Sequence, residues 1–207
     1  MAEGRGLFVT VDGPSGVGKT TVSRLMGLRL RAQGLRVLVT TTPSGSTLGN
    51  LARGQTYELR GMALSCLVAA DRYHHDRQVV RPALADGTIV VCDRYVPSSL
   101  VLDVLDGVEP AVIQILYSDI TVPDLAIVLT GDPVVCAERA KRRGTYSRFH
   151  ATSADHARQE AQLFDMAISR LRDAQYRVHE HAIGQIPADG VADALTSVIL
   201  NAKDRRP

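Results

Sequence analysis

Tryptophan is absent, phenylalanine occurs three times and tyrosine six, so aromatic residues make up only 4% of the chain. A sequence so poor in rings offers no stacking platform for single-stranded nucleic acid. An excess of one charge is missing too: 24 Lys and Arg face 22 Asp and Glu, a formal net charge of +2. That balance excludes a polybasic surface for nucleic acid or membrane. The three cysteines, Cys66, Cys92 and Cys136, form no C-x-x-C pair and no Cys/His cluster. Neither a disulfide framework nor a zinc site is supported, and all three read as buried thiols in a reducing compartment. Residues 1–6 run into a short apolar stretch ending at Asp12, without the length or cleavage pattern of a signal peptide. No apolar run approaches the ~18 residues of a membrane span. The expectation is a cytoplasmic protein with neither membrane nor nucleic acid as partner.

What is present is 45% hydrophobic and 22% charged over 207 residues. That suits one globular domain, read as 1–207, at ~100–200 residues per domain. Runs dense in Val, Ile, Leu and Thr at 7–11, 36–40, 88–92, 125–129 and 176–182 predict strands. The first four are almost continuously apolar, as parallel strands covered on both faces must be. Helical patterns fill 19–33, 57–86, 97–119 (as one helix or two), 133–142, 154–174 and 187–202. This alternation predicts a three-layer α/β domain with a parallel sheet and right-handed crossovers.

The strongest motif is Gly13-Pro14-Ser15-Gly16-Val17-Gly18-Lys19-Thr20, a complete G-x-x-x-x-G-K-[ST] between a strand and a helix. Its glycines let backbone N–H groups curl around a phosphate, and the helix N-terminus adds partial positive charge. Lys19 would sit on the β- and γ-phosphates, Thr20 would ligate Mg²⁺, and Thr21 would extend the nucleotide contacts. The motif makes the chain a nucleoside-triphosphate binder, with ATP and Mg²⁺ as its cofactors.

Two further segments narrow the class. Asp93-Arg94-Tyr95 ends the third strand, at the carboxyl edge where doubly wound sheets place ligands. Asp93 is the candidate for orienting the metal or its water, and Arg94 for gripping a second phosphate. The run Glu138-Arg139-Ala140-Lys141-Arg142-Arg143-Gly144-Thr145-Tyr146-Ser147-Arg148-Phe149 suits a helix entering an Arg-dense lid, at about 142–154, that neutralises a phosphoryl group in transit. His74 and His75, near Arg72, read as surface or satisfied histidines before pocket residues.

Together these residues resemble the thymidylate kinase family of nucleoside monophosphate kinases. Phe8-Val9-Thr10-Val11-Asp12-Gly13 is similar to the family's first strand and its acidic residue. Pro43-Ser44-Gly45-Ser46-Thr47-Leu48-Gly49 resembles the loop after the second strand. Leu67-Val68-Ala69-Ala70-Asp71-Arg72 resembles the helix contacting the acceptor base, and Asp93-Arg94-Tyr95-Val96-Pro97-Ser98-Ser99 is the closest match outside the phosphate loop. The resemblance implies a P-loop fold with a five-stranded parallel sheet in the order 2-3-1-4-5, a homodimer, and transfer of the γ-phosphoryl of MgATP to a nucleoside monophosphate. It implies Lys19, Asp12, Arg94, Arg143 and Arg148 as catalytic residues, with Arg142 and Arg139 behind the last two and Arg139 also on the ATP. It implies Asp12, Pro43, Val68, Arg72, Arg94, Ser98, Ser99 and Leu102 as acceptor contacts, and Thr20 and Asp93 as metal ligands.

The acceptor half departs from the family pattern. Thr41-Thr42 replaces Arg-Glu, Val68 replaces a Phe that stacks on thymine, and Val101-Leu102-Asp103 replaces Ala-Tyr-Gln. An aliphatic residue covers a ring face but forfeits the ~0.5–1.5 kcal/mol of an aromatic pair. Thymidylate is the default acceptor; a different nucleotide or a specialised metabolite is the alternative. A nucleotide-dependent switch or binding protein is the alternative of another class, and it would lack a second small-molecule pocket.

Overall fold

Alternate side chains of each central strand serve opposite faces of one sheet. In β1 (Phe8–Asp12), Val9 and Val11 join one buried cluster and Phe8 the other. In β3 (Ile89–Asp93), Ile89 and Val91 oppose Val90 and Cys92. In β4 (Leu125–Thr130), Leu125, Ile127 and Leu129 oppose Val128. Period-two side chains that are apolar on both sides need two covering layers. The computed structural model, which describes residues 5–144, 147–149 and 153–205, supplies both layers. The remaining lid residues, 145–146 and 150–152, and the termini 1–4 and 206–207 lie outside the described residues.

The sheet is wholly parallel, in the order β2-β3-β1-β4-β5, as expected for a P-loop NTPase domain. β2 (Val37–Thr41) and β5 (Val178–Ala182) form the edges and are only partly covered. Helices α1 (Lys19–Ala32) and α9 (Ala188–Asp204) pack on one face through Val22, Met26, Leu30, Leu195 and Ile199. The other face carries α3 (Gly61–His75), α4 (Arg81–Ala85), α5 (Val96–Leu105), α6 (Pro110–Leu116) and α8 (Ala154–Asp173). α2 (Thr47–Gly54) follows β2, and α7 (Pro133–Arg143) leads to the lid segment. No helix among the described residues is long and apolar enough to cross a membrane.

Three expectations change. The run 57–86 is two helices joined by π-helical turns at Asp76–Val80. Pro82, at the start of α4, has no N–H for an i→i−4 bond, and the wider turns absorb the mismatch. α2 has no counterpart in the sequence reading, because Gly49, Asn50 and Gly54 are poor helix formers. The helix forms through its N-cap, where Ser46 Oγ accepts from Gly49 N at 3.1 Å, and through Arg53, which donates to Pro43 O and Ser44 O. Cys66 is exposed on α3; only Cys92 and Cys136 are buried.

Candidate active site

The phosphate loop leaves β1 and becomes α1 at Gly18, whose φ of 103° only glycine adopts readily. Two other glycines are fixed by close approach: a Cβ at Gly13 would meet Leu129 O at 2.3 Å, and one at Gly16 would meet Cys136 O at 2.0 Å. The loop is thus wedged between the end of β4 and the body of α7. Lys19 is buried and folds over the loop, its Nζ donating to Gly13 O at 2.7 Å and Pro14 O at 2.8 Å. Burial, assisted by Arg94, lowers its pKa to about 7 against the opposing pull of Asp93, Glu160 and Asp12. Val17 belongs to the core, so any nucleotide contact it makes is through its backbone. Thr20 and Thr21 are exposed at the head of α1.

A residue absent from the sequence reading holds this loop. Glu160 of α8 is fully buried, and its carboxylate accepts from Ser15 N at 3.0 and 3.1 Å and from Ser15 Oγ at 3.2 Å. No motif flags it; the only trace in the sequence is a carboxylate on the apolar stripe of an amphipathic helix, flanked by Ala157 and Phe164.

At the end of β3, Asp93 Oδ2 accepts from Thr20 Oγ1 at 2.5 Å, while its buried Oδ1 has no partner among the described residues. The next residue, Arg94, takes φ 70°, uncommon for a side chain other than Gly, Asn or Asp. The turn is held by Arg94 N donating to Val11 O at 2.9 Å and by Thr42 Oγ1 donating to Arg94 O at 2.8 Å. Arg94 lines the cavity, and its buried Nη1 has no partner among the described residues. Asp12 lies behind this wall. Its Oδ1 accepts from Tyr95 N, Ser98 N and Ser98 Oγ at 2.9, 3.0 and 2.6 Å, which fixes the start of α5; its buried Oδ2 has no partner among the described residues. Burial raises the Asp12 pKa against those hydrogen bonds. The hydrogen bonds at Asp12 Oδ1 tie β1 to the Arg94 turn.

A cavity of about 450 Å³ opens from here. Ser15, Thr20, Asp93, Arg94 and Arg143 line its phosphate end; Ala52, Leu64, Val68, Leu102, Asp103 and Phe149 line the far end. Pro43, Arg72, Ser98 and Ser99 stand between, so every expected acceptor contact except Asp12 reaches the wall. Arg72 is buried, donates to Ser99 Oγ at 2.8 Å and Thr42 Oγ1 at 3.3 Å, and stacks 4.9 Å over the Tyr117 ring. Asp71, beside it, accepts from Ser44 N and Oγ and from Ser46 Oγ at 2.6 to 2.8 Å, shaping the loop that carries Pro43. His75 bonds Thr40 Oγ1 at 2.8 Å, a satisfied histidine on the buried side of α3.

The lid arginines separate. Arg143, at the end of α7, lines the cavity. Arg148 does not: its Nη1 and Nη2 donate to Asp106 Oδ1 and Oδ2, both at 2.6 Å, and it also reaches Thr56 O and Leu59 O. Its guanidinium is paired with that carboxylate, an arrangement that tethers segment 147–149. The tether places Phe149 on the cavity wall, so an aromatic face reaches the far end despite Val68. Arg139 is exposed on α7, off the cavity wall.

A family model described as thymidylate kinase matches residues 11–178. The probable thymidylate kinase of Caldivirga maquilingensis is 34% identical over 203 residues, covering 96% of each chain. The thymidylate kinase of Clavibacter sepedonicus is 38% identical over 168 residues, covering 77% of this chain and 80% of that one. That of Deinococcus radiodurans is 36% identical over 172 residues, covering 79% and 84%.

Two outcomes follow from the loop. Glu160→Ala leaves the Ser15 amide without its acceptor, and turnover should fall about 10- to 100-fold, the scale of a small misplacement of reacting groups. Glu160→Gln, which retains a carbonyl acceptor, should lose less; a drop in melting temperature with unchanged turnover would reduce Glu160 to a stability role. Nucleotide phosphates should return Lys19 to its charged form, so binding should take up a proton above pH 7 and none near pH 6. Calorimetry in two buffers of different ionisation enthalpy measures that uptake.

Proposed function

We propose that this chain, which belongs to the thymidylate kinase family, transfers the γ-phosphoryl of ATP to thymidine monophosphate, yielding the two diphosphates. The observation that carries the reading is the shared wall. Ser15 and Thr20 of the phosphate loop open onto the same cavity as Arg94, Arg72 and Val68, so a triphosphate and a second nucleotide can meet end to end. The names of the relatives favour thymidylate over another acceptor. A switch protein would have no use for the second compartment.

The acceptor phosphate is already anionic, so the chain need supply no strong base; its work is positioning and charge neutralisation. Loop amides and Lys19 hold the β- and γ-phosphates of ATP. Arg94, with Nη1 unpartnered and buried, is built to grip the acceptor phosphate. Arg143 stands where it can neutralise the group in transit. The orphaned Asp93 Oδ1 beside Thr20 Oγ1 forms a hard-oxygen donor set suited to Mg²⁺. Those two residues would hold the ion, which when bound neutralises phosphate charge.

A homodimer is part of this proposal. Met62, Ala63, Cys66 and Ala70 form an exposed uncharged stripe along α3, with Ile115 exposed on α6. The solution mass should be that of two chains, and a strict monomer at micromolar concentration would remove it.

The test of function is ADP formation from MgATP with a panel of nucleoside monophosphates. dTMP should accelerate turnover most, and Lys19→Ala should abolish the acceleration while circular dichroism is unchanged. No acceleration by any acceptor would sink the kinase reading, and a clear preference for another base would move the substrate.

A further inference from the structure

Asp103 and Asp93 are the acidic side chains that line the cavity among the described residues, and Asp103 is the one away from the phosphate loop. It lies on α5, one turn beyond Ser99, with only 6% of its surface exposed, and its Oδ2 is buried without a partner among the described residues. The hydrogen bonds that reach its carboxyl come from Ser99 and Ser65, and none reaches Oδ2 among the described residues. Arg72 spends Nε on Thr42 Oγ1 and Nη1 on Ser99 Oγ, and Ser99 Oγ also meets Tyr117 OH at 3.1 Å. The surroundings are otherwise the apolar faces of Leu64, Val68, Leu102 and Phe149. Apolar walls with one convergent acceptor describe a slot that covers a flat ring and reads one edge of it. We propose that Asp103 is a specificity-determining residue, its Oδ2 accepting the ring N3–H of a keto-pyrimidine base.

The inference rests on the nucleotide-acceptor reading above and deepens it. A carboxylate accepts only, so it welcomes a base whose ring nitrogen carries hydrogen. Cytosine turns a lone pair where thymine has that hydrogen, and the carboxylate opposes it. Leaving a buried acceptor unpaired is what makes such a site reject analogues that lack the donor. The charge state fits: burial pushes the Asp103 carboxyl up to about 6, against the pull of Arg72 and of hydrogen bonds from Ser99 and Ser65, with Asp106 adding to the rise. Arg72 and Ser65 face it from α3, Tyr117 from beyond α6, and Asp106, itself paired with Arg148, from the end of its own helix. It is therefore mostly ionised at neutral pH and becomes a neutral donor as the pH falls below about 6.

The experiment compares dTMP with 3-deazathymidine 5′-monophosphate, which carries C–H in place of N3–H, on wild-type enzyme and on Asp103→Leu, which keeps the bulk and removes both acceptor oxygens. The wild type should lose about 10- to 100-fold in kcat/KM on the deaza analogue, the scale of one hydrogen bond to a charged group. Asp103→Leu should lose a similar factor on dTMP, discriminate between the two acceptors by less than about threefold, and keep the wild-type KM for ATP. The acid limb of dTMP kcat/KM below pH 6 should be shallower in Asp103→Leu than in wild type, leaving the acceptor phosphate's own ionisation near 6. If the wild type handles both acceptors alike, or if the two losses simply multiply in the variant, Asp103 does not read the base. The wild-type comparison needs no variant, so a failure of Asp103→Leu to fold leaves it decisive. If dTMP fails to stimulate wild-type turnover at all, the kinase reading fails and this proposal falls with it.

Discussion

A phosphate loop works only while its backbone keeps a tight curve around an anion site, an arrangement that a free peptide would abandon. Everything around residues 13–20 resists that collapse. Leu129 O and Cys136 O crowd Gly13 and Gly16 so closely that no side chain fits, and Glu160 pins the loop by accepting from Ser15 N. β4, α7 and α8 thereby share the task of shaping a loop that none of them contains. α8 follows the lid segment, so the helix that bonds the loop also begins where the lid ends.

The same economy joins the two halves of the site. Asp12 closes β1 and, through three hydrogen bonds to Tyr95 and Ser98, starts α5. Arg94 is caught between them in a left-handed turn. Thr41 and Thr42, in place of charged residues, tie β2 to the same turn by donating to Asp93 O and Arg94 O. Charge lost at these positions is replaced by rigidity, and the cations that remain, Arg72, Arg94 and Arg143, border a single cavity.

Legibility followed the range of the determining interactions. The phosphate loop and the strand-end position of Asp93-Arg94 are written in local spacing and could be read directly; the strand order came only through the family resemblance. α2 could not, because its residues disfavour a helix and only Ser46 and Arg53 stabilise it. Glu160 and Arg148 depend on partners 145 and 42 residues away in sequence, and no local pattern announces such a pairing. Phe149 is the instructive case: the ring missed at Val68 is supplied from the lid, a substitution visible only in three dimensions.

The lysine of a phosphate loop must meet ligand oxygens without dragging the backbone with it. Lys19 Nζ donates to Gly13 O and Pro14 O, carbonyls of the loop it serves, and burial draws its pKa down to about 7. Contact with a phosphate is then a short exchange of acceptors, with the loop's own carbonyls as the competitors. A cation held this way carries its alternative partners with it, so its reach and its orientation are set by the same backbone that shapes the site.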